Sequence, residues 1–295
     1  MYKFRIPATS ANLGPGFDCL GIALKLYNYY TFSKIDRGIK FDFKESISGK
    51  QIKLSHDKNL TYKVIKNTFD IDFGIEVRAK ISIPIARGLG SSAAAIIAGL
   101  VGINLMMGQP LTKKEMLNKA IEIEGHPDNI IPAFQGGYNI NMITDESWVN
   151  KKINIDTDLK IILVIPEFEI STKKLREVLP EKISYEDAIY NHSRTALLTS
   201  CFYEGNWDYL YTAMKDRLHQ DYRAKFIPGF HKIIKSAYNE GAKGVALSGS
   251  GPTLIAFANK NCDKIGKKMV NIFNEHGIKS NYIITEPDNK GTKIY

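Results

Sequence analysis

Cysteine is scarce: Cys19, Cys201 and Cys262 are the only three in 295 residues, an odd number without paired spacing. Neither a disulfide framework nor a cysteine-based zinc site is supported, and a reducing compartment is expected. Long apolar runs are also missing. The mostly apolar stretch from Ala93 to Met107 falls short of the ~20 residues of a membrane span. The opening MYKFRIPATSANLG lacks the basic-then-apolar layout of a signal peptide. We therefore expect a cytoplasmic protein with no membrane partner. There is no internal repeat or low-complexity tract. A composition of 44% hydrophobic and 24% charged residues excludes disorder, collagen-like repeats and coiled-coil composition.

Acidic residues are in deficit, 31 against 40 basic ones, for a net charge of +9. That excess makes a polyanionic partner plausible: nucleic acid, a membrane surface or a phosphorylated small molecule. The basic residues are scattered, and the densest group, Lys267-Lys268, is modest. A solvated surface is the expectation, with no nucleic-acid partner.

Strand-like and helix-like segments alternate, which argues for mixed α/β layers in about two domains. Ile75 to Ile83 alternates apolar and polar residues as a half-buried strand does. A helix is expected from Ser91 to Met107. Another should run from Thr112, an N-cap with Glu115 completing a capping box, to about Glu124, where Gly125 and Pro127 stop it. Leu159 to Ile165 reads as a buried strand, and the polar, irregular Asp145 to Asp158 before it places the domain boundary near residue 155. The divisions are 1–155 and 156–295. In the second, helices are expected over Ser171–Leu179, Glu186–Tyr203, Trp207–His219 and Lys264–His276. Strands are expected at Gly244–Leu247 and Asn281–Thr285.

Three glycine-rich places carry the chemistry. In Pro84, Ile85, Ala86, Arg87, Gly88, Leu89, Gly90, Ser91, Ser92, Ala93 and Ala94 a strand runs through glycines into a helix. The glycines let the backbone approach a ligand, and the following helix points free N–H groups at it, which suits phosphate. Ser91 and Ser92 could cap the helix, donate to phosphate or ligate Mg²⁺. The dinucleotide and P-loop NTPase patterns both fail, the first for want of an acidic residue ~20 positions on and the second for want of a closing Gly-Lys-Ser/Thr. A capped strand–turn–helix corner is the plain alternative. Pro7 to Gly21 crowds Thr9, Ser10, Asn12 and Asp18 among turn residues. It is either only a turn, or a place where Asn12 and Asp18 meet an ammonium or hydroxyl. Ser248 to Pro252 sits between two apolar runs as a hairpin turn whose glycines could approach the phosphate loop. Between these places, Glu124 closes a helix and His126 and Asp128 are expected to follow within a tight loop, so that a carboxylate–imidazole–carboxylate group gathers within a few residues. The other histidines supply no spaced zinc partner, whereas carboxylate and hydroxyl oxygens suit Mg²⁺ on nucleotide phosphates. A solvated Glu124 is the simpler alternative.

Together these segments resemble the homoserine kinases, within the superfamily that includes galactokinase and mevalonate kinase. Pro7–Gly21, Pro84–Ala94 and Ser248–Pro252 are similar to the superfamily's three motifs. Glu124 to Asn129, and Asp216 to Arg223 with Ile227-Pro228, resemble homoserine kinases specifically. The resemblance implies an α+β, two-domain fold of the GHMP kinase type: a first domain like the second domain of ribosomal protein S5, then a ferredoxin-like domain. It implies ATP phosphates on the backbone from Pro84 to Ala94, Mg²⁺ held by Ser92 and Glu124, and transfer of the γ-phosphoryl group to L-homoserine. By the same resemblance, Asn12, Asp18 and His126 face the substrate, and Arg176 and Arg223 clamp its carboxylate. Thr172 should line that pocket. Asp128 is the candidate base, with orientation of the hydroxyl preferred over proton abstraction, and a homodimer is implied.

Overall fold

The computed structural model describes all residues from Met1 to Tyr295. Its first part runs β1 (Tyr2–Asn12), β2 (Gly16–Ile35), β3 (Ile39–Glu45), β4 (Gln51–Ile52), α1 (Leu60–Thr68), β5 (Gly74–Ile81), α2 (Ser91–Met106), α3 (Lys113–Glu124), α4 (Pro127–Gln135), β6 (Tyr138–Ile143) and β7 (Trp148–Ile153). The second runs β8 (Lys160–Pro166), α5 (Thr172–Glu177), α6 (Tyr185–Glu204), α7 (Leu210–Ala213), α8 (Gln220–Ala224), α9 (Phe230–Asn239), β9 (Gly244–Leu247), β10 (Leu254–Ala258), α10 (Cys262–Glu275), β11 (Ser280–Thr285) and β12 (Lys293–Ile294). No helix is long and apolar enough to cross a membrane.

The first sheet has the order β12-β1-β2-β5-β3-β4, with β6 and β7 branching from β2. Only β3 and β5 pair in parallel, bridged by α1. The second sheet has the order β11-β8-β10-β9 and is antiparallel throughout. In order of appearance that is 4-1-3-2, with α5 to α9 filling the first connection, a hairpin turn the second and α10 the third, which is the ferredoxin-like arrangement. The expected α+β fold class is therefore what the chain adopts.

Local chemistry explains the elements around the cleft. In α3 the Thr112 hydroxyl accepts from the Glu115 N–H at 3.3 Å while Glu115 accepts from the Thr112 N–H at 2.7 Å, a complete capping box. Gly125, at φ 87°, ends α3. Pro127 stops that helix but also begins α4, because proline suits the first helical position, where no N–H partner is needed. Asp128 thus sits in the first turn of a helix rather than in a tight loop. Apolar all round, α2 is buried on nearly every face.

Two other expectations are corrected. No continuous helix spans Trp207 to His219; only the short α7 forms there. The Asp216 carboxylate accepts from the N–H groups of Leu218, His219 and Gln220 at 3.0, 3.0 and 2.7 Å, offering the backbone a turn instead. The stretch from Asp145 to Asp158 is not wholly irregular, since Trp148–Ile153 forms β7. It reads as polar because it is an edge strand paired only with β6.

The proposed division near residue 155 falls between β7 and β8, yet the tail crosses it. β12 returns to pair with β1, with Phe4 opposite Ile294. One apolar cluster also spans both sheets, from Phe32 and Tyr138 through Phe202 to Phe257. Phe202 stacks on Tyr138 at 4.3 Å and meets Phe257 edge-on at 5.8 Å. Truncating this contact should loosen both sheets together. Phe202→Ala is expected to cost about 3–5 kcal/mol, read as a lower urea midpoint with an unchanged slope. A loss below about 1 kcal/mol would contradict the bridging role.

Candidate active site

Between β1 and β2 the chain makes a sharp polar turn. Asn12, Leu13 and Asp18 all take left-handed backbone angles, φ 68°, 50° and 55°. Gly14 packs so tightly that a β-carbon there would lie 2.2 Å from the Met214 carbonyl oxygen. The buried Asn12 amide braces the turn: its Nδ2 donates to the Gly249 carbonyl at 2.9 Å, and its Oδ1 accepts from the Asp18 N–H at 3.0 Å. Behind it, His219 is fully buried, and burial holds its imidazole below the ordinary 6.5. Its Nε2 donates to the Gly14 carbonyl at 2.7 Å, which leaves Nδ1 to accept from Arg223 at 3.1 Å.

The glycine-rich loop leads into α2. Gly88 and Gly90 sit at φ 75° and 69°, and a β-carbon on Gly88 would come within 2.3 Å of the Ser248 carbonyl oxygen. The hairpin turn between β9 and β10 therefore lies against this loop. Ser248 Oγ donates to the Gly88 carbonyl at 2.6 Å and lies 2.8 Å from Ser10 Oγ. No side chain caps the N-terminus of α2. Ser91 Oγ instead accepts from the Ala86 N–H at 3.3 Å, so the first-turn N–H groups stay available to an anion.

From the loop, Ile85, Ala86, Gly88, Gly90, Ser91 and Ser92 line a cleft of about 580 Å³. Pro84, Arg87, Leu89, Ala93 and Ala94 do not. Leu89, Ala93 and Ala94 are buried in the core. Arg87 turns the other way, donating to the carbonyls of Pro166 and Glu167 and pairing with Glu169, so it ties the loop to the second sheet.

Acidic groups divide differently from the grouping expected in the sequence. At the end of α3, Glu124 accepts from Ser92 Oγ at 2.6 Å. Burial raises its carboxyl above the ordinary range, against the Ser92 hydrogen bond and the nearby His126. Asp18, His126 and Asp128 form the other set, with potential ligand atoms within 4.8 Å of one another. Asp128 is almost fully buried and lies 2.5 Å from His126 Nδ1. Burial pulls the imidazole down, but the Asp128 hydrogen bond and the charges of Asp128 and Glu124 outweigh it and raise His126 above 6.5. Asn129, held by Thr9 at 2.7 Å, donates to Asp128 at 3.4 Å. Ser92 and Glu124 offer only oxygen donors beside the open helix N-terminus, a set that fits Mg²⁺.

Arginines close the cleft on the second-sheet side. Arg176, in α5, grips Asp18 with two parallel hydrogen bonds of 2.8 and 2.7 Å. Arg223, in α8, is 1% exposed, and its contacts are the neutral acceptors Leu175 O, Gly249 O and His219 Nδ1. Burial and then the neighbouring Arg176 hold it down to about 10. Both guanidiniums lie over the ring of Phe17, at 5.4 and 5.2 Å. Thr172 Oγ1 lies 3.2 Å from Ser250 Oγ and lines the same cleft.

The rest of the lining is largely apolar, with Phe43, Ile52, Leu54, Ile81 and Ile83, together with Lys58 and a few neutral polar residues. Asn59 lies among them, caps α1 through its Oδ1 and leaves a buried Nδ2 without a partner. Sequence reasoning brought Asn12, Asp18, Ser92, Glu124, His126, Asp128, Thr172, Arg176 and Arg223 to one place, and all nine line this cleft. It did not find His219 or Asn129. The signal for His219 was its position four residues before Arg223, which puts both on one helical face.

Comparison with known proteins places this geometry in a family. Residues 59–137 match the GHMP kinases N terminal domain, and residues 198–274 match the GHMP kinases C terminal domain. The homoserine kinase of Halothermothrix orenii is 52% identical over 99% of this chain and 95% of its own. That of Clostridium beijerinckii is 40% identical over 100% and 98%. Among solved structures, the homoserine kinase of Cytophaga hutchinsonii superposes with a TM-score of 0.86 at 28% identity, covering 100% of this chain and 97% of that one. An L. major mevalonate kinase complexed with R-mevalonate shares the fold at TM-score 0.71 and 16% identity, over 97% and 96%. The chain belongs to the GHMP kinases and, within them, to the homoserine kinase family.

Proposed function

We propose that this protein transfers the γ-phosphoryl group of ATP to the side-chain hydroxyl of L-homoserine, giving O-phospho-L-homoserine and ADP. Arg223 carries the reading. Its guanidinium is buried, hydrogen-bonded only to neutral acceptors and set beside a second arginine; the carboxylates of Asp18, Asp216 and Asp128 are near it but make no hydrogen bond to it, so a direct anionic partner is left for a ligand to supply. A carboxylate matches the planar fork. Mevalonate has a carboxylate but no ammonium for Asp18, and a neutral sugar has neither.

In this reading the ATP phosphates rest on the N–H groups that open α2, and the apolar lining around Asn59 receives the base. Residues 1–155 then supply most of the nucleotide site, while 156–295 supply the two arginines and Thr172. Ser92 and Glu124 would hold Mg²⁺, which when bound neutralises charge on the β- and γ-phosphates. Asn12 fixes the turn that presents Asp18 to the substrate ammonium. His126 holds Asp128 so that its carboxylate meets the homoserine hydroxyl. The Asp128 carboxylate is already engaged by His126 Nδ1 at 2.5 Å and by the Asn129 amide at 3.4 Å, so it is held to orient the hydroxyl rather than to take its proton. Positioning and charge neutralisation then supply most of the rate.

Three variants test these roles. Arg223→Lys should raise KM for L-homoserine about a hundredfold, the scale of one charge-assisted hydrogen bond, with KM for ATP within about twofold. Equal effects on both substrates would contradict the assignment. Asp128→Asn should lower kcat by less than about 10² and keep the acidic limb of the pH profile, whereas a general base would cost about 10²–10⁴ and take that limb with it. Glu124→Gln should raise the Mg²⁺ concentration needed for half-maximal rate. An unchanged Mg²⁺ dependence would remove Glu124 from the metal site.

A further inference from the structure

Arg176 and Asp18 already satisfy each other. Their two parallel hydrogen bonds, 2.8 and 2.7 Å, join residues 158 positions apart at the wall of the cleft, with both side chains about one-third exposed. These are also the two groups that the homoserine reading assigns to the two opposite charges on the substrate's α-carbon. On that reading, we propose that the Asp18–Arg176 pair occupies the place of the substrate's own two charges, so that binding is an exchange of one ion pair for two. The substrate carboxylate takes Arg176, with Arg223 beside it, while its ammonium takes Asp18.

The exchange makes the pair a filter for zwitterions. A ligand with both charges leaves neither protein group unpaired. A ligand with a carboxylate alone must pull Arg176 away from Asp18 and then lie next to an anion it cannot satisfy. An amine alone leaves Arg176 unpaired beside Arg223, over the same Phe17 ring. Discrimination thus comes from breaking an internal contact as well as from making new ones, which is how a site rejects near-isosteres. Local geometry lets one side of the pair be removed cleanly. Asp18 sits at φ 55°, a backbone angle that asparagine also tolerates, and its N–H is held by Asn12 whatever the side chain.

The experiment uses two analogues that each lack one charge: 4-hydroxybutyrate, without the ammonium, and 3-amino-1-propanol, without the carboxylate. Calorimetry on the full chain compares wild type with Asp18→Asn and Arg176→Gln, alongside L-homoserine turnover with Mg-ATP. Wild type should bind both analogues far more weakly than L-homoserine. Asp18→Asn should bind 4-hydroxybutyrate at least about fivefold tighter than wild type does while binding L-homoserine more weakly. Arg176→Gln should do the same for 3-amino-1-propanol, and tighter binding in either variant supports the exchange. If each analogue binds its variant no tighter than wild type, the exchange is overturned while the homoserine reading stands. If wild type itself turns over no L-homoserine, that reading fails and the exchange falls with it.

Discussion

The site depends on how the turn between β9 and β10 seats against the two loops of the first sheet. Ser248 donates to the Gly88 carbonyl, Asn12 donates to the Gly249 carbonyl, and Arg223 reaches Gly249 from behind. At Gly88 the approach leaves no room for a β-carbon. These contacts between backbone carbonyls and short polar side chains hold the phosphate loop, the Asn12–Asp18 turn and the arginines at fixed spacing. Arg87 adds a second tie on the outer side of the same loop. With the loop held from both sides, the N-terminus of α2 opens into a cleft rather than into solvent.

Electrostatics in that cleft is local and nearly balanced, and the +9 of the whole chain says little about it. Glu124 is bound to Ser92 at the phosphate loop, His126 pairs with Asp128, and Asp18 answers Arg176. Arg223 alone is left with neutral contacts. His219 makes this tolerable: kept uncharged by burial, it accepts from Arg223 and so does not add a third positive charge beside the two arginines. Arg223 is therefore the one arginine of the site with no carboxylate in direct contact, and in the proposed reading the substrate carboxylate takes that place.

Much of this was legible in the sequence because it rests on short-range chemistry. The capping box at Thr112, the glycine loop into α2 and the hairpin turn at Ser248 follow from residue types at fixed spacings. Alternating segments gave mixed α/β layers, while the α+β two-domain class and the gathering of nine residues into one cleft required the family resemblance. What was hidden is long-range or double-edged. Pro127 ends one helix and begins the next, so stopping α3 could not reveal α4. Asp216 turned an expected helix into a turn by capturing three backbone N–H groups. The pairing of Asp18 with Arg176 leaves no trace in local sequence, nor does the return of β12 to the first sheet.

The central claim is that this cleft phosphorylates an amino-acid alcohol read by both its charges. Its most direct test is ADP release with Mg-ATP across L-homoserine, D-homoserine, L-serine, L-threonine, mevalonate and galactose. Strong turnover with L-homoserine alone is the expected result. Turnover of mevalonate or galactose at a rate comparable to L-homoserine would contradict the account, because neither ligand answers both Asp18 and the two arginines.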